Sequence, residues 1–204
     1  NAASHAALTI NTGSGGDTIT GTSNADTINA GNGANSITGG AGADTMTGGT
    51  GVDTYVYTAS TEGGDTITNF TVGADIIRYT AALLNGTSTG ATALATQYQS
   101  SAATVAIADN VTIFNYTVAL ADTAAATVAA ASISNSTLGF ATGTENIGDK
   151  LLIAVHSATT TAVYAFTSAT ADGVIAAGEL TLLATLTGVP TGLNTASGAD
   201  FLTV

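Results

Sequence analysis

The sequence contains no cysteine and no tryptophan, one proline (Pro190), one methionine (Met46) and only two basic side chains, Arg78 and Lys150. Without cysteine there is no disulfide, no thiolate metal site and no cysteine nucleophile. Two basic residues against a net charge of −12 cannot neutralise a phosphate backbone, which argues against nucleic-acid binding. An anionic membrane surface repels the chain for the same reason. No run of about 18 apolar residues is present, so no helical membrane span is expected. Charge is scarce in general: 8% of the 204 residues are charged while 45% are hydrophobic. An acidic disordered tail has the opposite balance. With 25 glycines and an abundance of alanine, threonine, valine and isoleucine, the text reads as an all-β protein. The length suits one large domain or two small ones. The opening Asn1-Ala2-Ala3-Ser4-His5 carries neither an initiator methionine nor a charged leader and reads as an internal cut, with upstream sequence expected.

What is present in quantity is a repeat. Residues 12–56 divide without a gap into five nonapeptides: TGSGGDTIT, GTSNADTIN, AGNGANSIT, GGAGADTMT and GGTGVDTYV. The sixth position is Asp17, Asp26, Asn35, Asp44 and Asp53; the eighth is Ile19, Ile28, Ile37, Met46 and Tyr55. The glycines Gly13, Gly15, Gly21, Gly31, Gly33, Gly39, Gly40, Gly42, Gly48, Gly49 and Gly51 supply tight turns. Asn24 stands where the other units have glycine at the fourth position. The last three residues of each unit make a short strand with its central side chain inward. Such units build a core only by stacking. The turns present one carboxylate per unit beside backbone carbonyls, and hard oxygen donors without nitrogen or sulfur suit Ca²⁺. The alternative is that these acids merely start turns, but stacked unpaired carboxylates repel one another without a cation. With two units per coil, Asp17, Asn35 and Asp53 line one edge, and Asp26 and Asp44 the other. Asn35 offers an amide oxygen without charge, so the 26–44 site is expected to bind most tightly.

The units GGAGADTMT and GGTGVDTYV resemble the calcium-binding nonapeptide repeat of the RTX proteins, G-G-x-G-x-D-x-U-x. That resemblance implies a parallel β-roll that is unfolded at low calcium and folds after export through a type I transporter. The following segment, with Asp65, Thr66, Ile67, Phe70, Gly73, Asp75 and Ile77, is similar to the stretch found after such rolls. It reads as a capping strand pair in which Ile67 and Phe70 cover the open end. Asp65 and Asp75 are further candidate ligands, and Glu62 is either a ligand or a solvated acid.

The expected organisation is therefore a calcium-binding roll over 1–57, a cap over 58–80 and a mainly β C-terminal domain over 81–204. Strand composition marks 105–107, 111–114, 151–155, 163–166 and 180–183. Residues 85–104 read as a linker or a short helix near 94–99, and 120–133 as either helical or extended. Asp172 and Glu179 sit at the spacing of half a calcium loop, but Ser168 and Thr170 stand where its first carboxylates belong, so a turn joining two strands is the preferred reading. The ending Asp200-Phe201-Leu202-Thr203-Val204 is similar to the uncleaved type I secretion tails of the family. His5 and His156 are the only histidines, and no catalytic motif accompanies them. No enzyme activity is expected of the chain. Two readings remain: a secreted, calcium-binding component of a bacterial surface layer (S-layer) that self-associates into an array, as the resemblance to Gram-negative S-layer composition suggests, or the export and folding module of a secreted RTX enzyme, toxin or adhesin.

Overall fold

Glycine-rich turns joined to three-residue strands leave the backbone one compact solution, a flattened coil. A computed structural model describes residues 6–80, 96–99, 105–107, 113–116, 138–140, 150–170, 175–188, 193 and 200–203. Strands β1 (Thr9–Asn11), β3 (Thr27–Asn29) and β5 (Thr45–Thr47) stack in parallel as one sheet. Strands β2 (Thr18–Thr20), β4 (Ser36–Thr38) and β6 (Thr54–Tyr57) stack as the facing sheet. The register runs Thr9 to Thr27 to Thr45 and Ile19 to Ile37 to Tyr55, so each coil takes two nonapeptides.

The centre of each strand points inward. Ile19, Ile28, Ile37, Met46 and Tyr55 are all buried in one cluster, at 5% exposure or less. Each such side chain contributes about 1.5–3 kcal/mol through burial, which together offsets the cost of ordering so much glycine. The flanking residues, chiefly threonine, face outward. Only glycine tolerates the closest approach between coils. Gly49 has φ +102°, and a Cβ there would collide with the Gly31 carbonyl; one on Gly31 would collide with the Gly13 carbonyl. Asn24 behaves differently from the expectation. Gly15, Gly33, Gly42 and Gly51 at the same position have positive φ, but Asn69 is the one described non-glycine residue that does. The second unit thus turns with ordinary backbone angles, its Asn24 N–H donating to the Thr22 hydroxyl at 3.2 Å.

Where a capping pair is expected, the structure instead continues both sheets. Strand β7 (Asp65–Thr68) pairs with β5, and β8 (Ile76–Tyr79) pairs with β6. Ile67 and Ile77 extend the two inner rows, with Phe70 packed beside Tyr55 at a ring separation of 6.1 Å. The ends are covered by the C-terminal region. Strand β15 (Leu180–Thr187) lies parallel to β7 with Leu186 opposite Ile67, and β16 (Phe201–Thr203) lies parallel to β8 with Phe201 opposite Ile77.

Beyond β15 the same sheet turns antiparallel through β14 (Thr160–Thr167) and β13 (Lys150–His156). It then continues in parallel through β11 (Ile113–Tyr116) to β9 (Thr96–Gln99), making nine strands in all. Nearly every residue of β13 and β14 is buried, as their unbroken apolar text requires of strands covered on both faces. Strands β10 (Val105–Ile107) and β12 (Leu138–Phe140) form a separate parallel pair. Residues 96–99 are therefore a strand, neither the linker nor the short helix expected there; the segment 120–133 lies outside the described residues. Among the described residues there is no α-helix, and the fold they make is all-β.

Candidate calcium sites

The coil period brings the sixth-position side chains into two columns, one on each edge of the roll, and a common hydrogen bond links each to the next. The Asp17 N–H donates to Asn35 Oδ1 (2.9 Å), Asn35 N–H to Asp53 Oδ1 (3.0 Å), and Asp53 N–H to Asp75 Oδ1 (2.9 Å). On the other edge, Leu8 N–H donates to Asp26 Oδ1 (2.7 Å), Asp26 N–H to Asp44 Oδ1 (2.7 Å), and Asp44 N–H to Asp65 Oδ1 (2.9 Å). Both columns match the edge assignment made from the period. Asp26, Asp44, Asp53, Asp65 and Asp75 each use the first carboxylate oxygen to hold the backbone one coil earlier.

The second oxygens divide the residues into two groups. Those of Asp17, Asp44 and Asp53 have no hydrogen-bond partner although they are shielded from solvent. Asp44 is 1% exposed and Asp53 0%. The second oxygens of Asp26, Asp65 and Asp75 are engaged: by the Thr22 N–H (2.6 Å) and hydroxyl (2.9 Å), by the Tyr57 hydroxyl (2.9 Å), and by the Thr71 N–H (2.8 Å). The 26–44 pair, expected to offer two free carboxylates, therefore offers one open oxygen. Threonine at position 22, where the other four units have glycine, is the visible sequence signal for that difference.

Electrostatics cut across that division, raising carboxyls in both groups. Burial lifts the Asp44 carboxyl above its ordinary range, the Asp26 N–H opposes this, and the Asp26 charge adds to it. Burial likewise raises Asp75 against two backbone N–H groups, with the Asp53 charge adding. Asp65 is pushed up to about 7, chiefly by burial. At Asp26 burial is outweighed by the bonds from Leu8 and Thr22, and its carboxyl lies below the usual value. Buried carboxylate oxygens without a proton donor fit a hard cation. Among the described residues no three His, Asp or Glu side chains gather to hold a metal by themselves. An ion on these edges would therefore need turn carbonyls beside one or two carboxylates to complete its shell.

The remaining candidates are not brought to these edges as open ligands. The Glu62 carboxylate accepts from the Thr58 and Ala59 N–H groups and from the Thr58 hydroxyl, closing its own turn. Glu179 accepts from Ala169 (2.7 Å), Thr170 (3.3 Å) and Ala176 (2.8 Å) N–H groups, both oxygens being engaged, so it staples the connection between β14 and β15. Asp172 lies outside the described residues. Two groups that the repeat pattern does not reveal are Tyr57 and Asp200. Tyr57 carries a polar tip at an inward strand position, where a buried hydroxyl ordinarily needs a partner. Asp200, fully buried, accepts the Gly73 N–H at 2.7 Å and so ties the tail to the last coil.

Residues 9–36 and 20–55 match the family model of the RTX calcium-binding nonapeptide repeat, built of four copies. No curated protein matches the chain. The match stops where the eighteen-residue register gives way to the longer last coil, from Tyr55 to Ile77. The coils from residue 9 to residue 55 are RTX repeats, and the ion they bind is Ca²⁺.

Proposed function

We propose that the chain is a calcium-folded part of an exported structural protein that assembles on a bacterial surface as an S-layer. One observation carries the calcium half of this reading: the unpaired second oxygens of Asp44 and Asp53, buried beside turn backbone. Asp17, Asp44 and Asp53 are the carboxylate ligands, with turn carbonyls completing each shell. Calcium bound there supplies the countercharge that the closed coils lack. Because an unfolded chain has no such cage, binding free energy becomes folding free energy.

Export through a type I transporter follows the same logic. In the folded chain Asp200 and Phe201 are buried against the last coil. A transporter reads this tail before the roll closes, at low calcium, and folding outside withdraws it. The array reading rests on composition, with scarce charge, no cysteine and threonine-rich outer faces. No catalytic role is assigned to the chain.

Circular dichroism of the chain with calcium and with chelator tests the folding step: β-structure is expected to require calcium, and indifference to chelator overturns it. Electron microscopy of the parent protein at millimolar calcium tests assembly. Monomers without ordered arrays favour the export and folding module of a secreted RTX protein instead. Fusing residues 81–204 to a passenger tests export. Equal secretion without them, in the presence of the matching transporter, removes that step.

A further inference from the structure

We infer that the side-chain nitrogen of Asn35 takes the place of a calcium ion, so that the coil joining residues 35 and 53 closes without metal. The inference rests on the calcium reading of the other turns and departs from the expectation that Asn35 is a ligand.

The orientation of the amide is fixed by its neighbours. Its oxygen receives the Asp17 N–H at 2.9 Å, the same bond that the first oxygen of Asp44 receives from Asp26. Reversing the amide would set an NH₂ against that N–H, donor to donor. The nitrogen therefore occupies the position that a second carboxylate oxygen has in Asp44 and Asp53, where it is left unpaired.

Its surroundings are those of a cation. Nδ2 lies 2.9 Å from Asp53 Oδ1, 3.2 Å from the Gly33 carbonyl and 3.5 Å from the Gly48 carbonyl. Those are one carboxylate oxygen and two turn carbonyls, the ligand types calcium prefers. Asn35 is 2% exposed, so water does not compete for them. An amide NH₂ has two protons to donate and no lone pair to offer. Its two protons serve the two nearer oxygens, with Gly48 at the limit of reach, and stand where a metal would need an acceptor. An aspartate at this position would reverse both properties, adding an open oxygen and a charge facing Asp53.

The test is a calcium titration of the full 204-residue chain by isothermal calorimetry, comparing wild type with Asn35→Asp and Asn35→Ala. Asn35→Asp is expected to take up one more ion per chain than wild type. Asn35→Ala is expected to keep the wild-type number while lowering stability. Equal numbers for wild type and Asn35→Asp, or an ion lost in Asn35→Ala, overturn the inference. A second measurement stands even where a variant fails to fold: the side-chain NH₂ resonances of Asn35 in the folded wild-type chain. Slow proton exchange is expected, and fast exchange overturns the bonds proposed. A wild-type chain that takes up no calcium at all, with Asp44→Asn giving the same trace, overturns the calcium reading itself and the substitution of Asn35 for an ion with it.

Discussion

Tyr57 and Asp65 show how one hydroxyl decides what a carboxylate can do. The Tyr57 hydroxyl donates to Asp65 Oδ2 in the core, so the last carboxylate of its edge has both oxygens satisfied. Tyr57→Phe keeps the shape and removes the donor. It should destabilise the chain by about 1–3 kcal/mol, the cost of leaving a buried acceptor unpaired, measured by urea unfolding in calcium; an unchanged midpoint counts against this bond. His156 gives a pH effect of definite sign. It is fully buried beside the Thr161 hydroxyl, and burial lowers its pKa from 6.5 to about 4. Between those values the unfolded chain binds the extra proton, so His156 favours folding above about pH 6.5 and loses that contribution as pH falls toward 4. Relative to His156→Gln, wild type should therefore weaken over that window in calcium-saturated urea titrations. The sixth-position column was readable from the sequence because its period is regular. Which carboxylate oxygen stays open was signalled only by Thr22, which breaks the glycine pattern; Thr71 and Tyr57 decide it at the other positions from outside the repeat's sixth column.

Strands of three residues hold only because each is repeated in register by a neighbour. Gly49 is where that contact is tightest, and Gly49→Ala adds a side chain both at φ +102° and against the Gly31 carbonyl. A cost above about 1 kcal/mol is expected, read as a higher calcium midpoint for β-structure by circular dichroism. A midpoint equal to wild type would mean that the coils can separate there. Strand existence was legible wherever inward and outward residues alternate or an apolar run continues, as in β2 to β6 and in β13 to β15. Strand β9 was missed because Thr96-Gln97-Tyr98-Gln99 carries little apolar text, and its pairing with β11 comes from distant sequence. Neither the period nor the composition shows that β15 docks on β7, a contact across more than a hundred residues.

At the scale of the molecule that docking makes calcium a concern of the C-terminal strands too. The sheet that begins with the roll at β1 passes through β7 to β15, β14 and β13 without interruption. The apolar cluster is continuous as well, running from Ile19 to Leu152, Val163 and Leu186. Chelation should therefore loosen the backbone amides of 184–186 along with those of the coils. Hydrogen exchange followed by mass spectrometry with and without calcium checks this. Protection at 184–186 that persists after the coils have opened would show two independent units. The one-ended character of the contact was hidden in the sequence, where residues 58–80 look like a cap.

The repeat in register, from Thr9 to Thr27 and on to Thr45, also sets a quantum for changes in gene length. Removing residues 27–44, one complete coil, joins Asp26 to Thr45 and leaves every later strand in its own sheet, with each carboxylate on its own edge. Removing nine residues exchanges the two sheets for everything upstream and carries its carboxylates to the opposite edge, while β15 and β16 still meet the last coil at fixed positions. The shorter deletion is therefore the more damaging, and β-structure in calcium, compared by circular dichroism between the two, should survive only the longer one. A lineage of such chains can lengthen or shorten by whole coils, and copies differing by half a coil are removed by selection on folding alone.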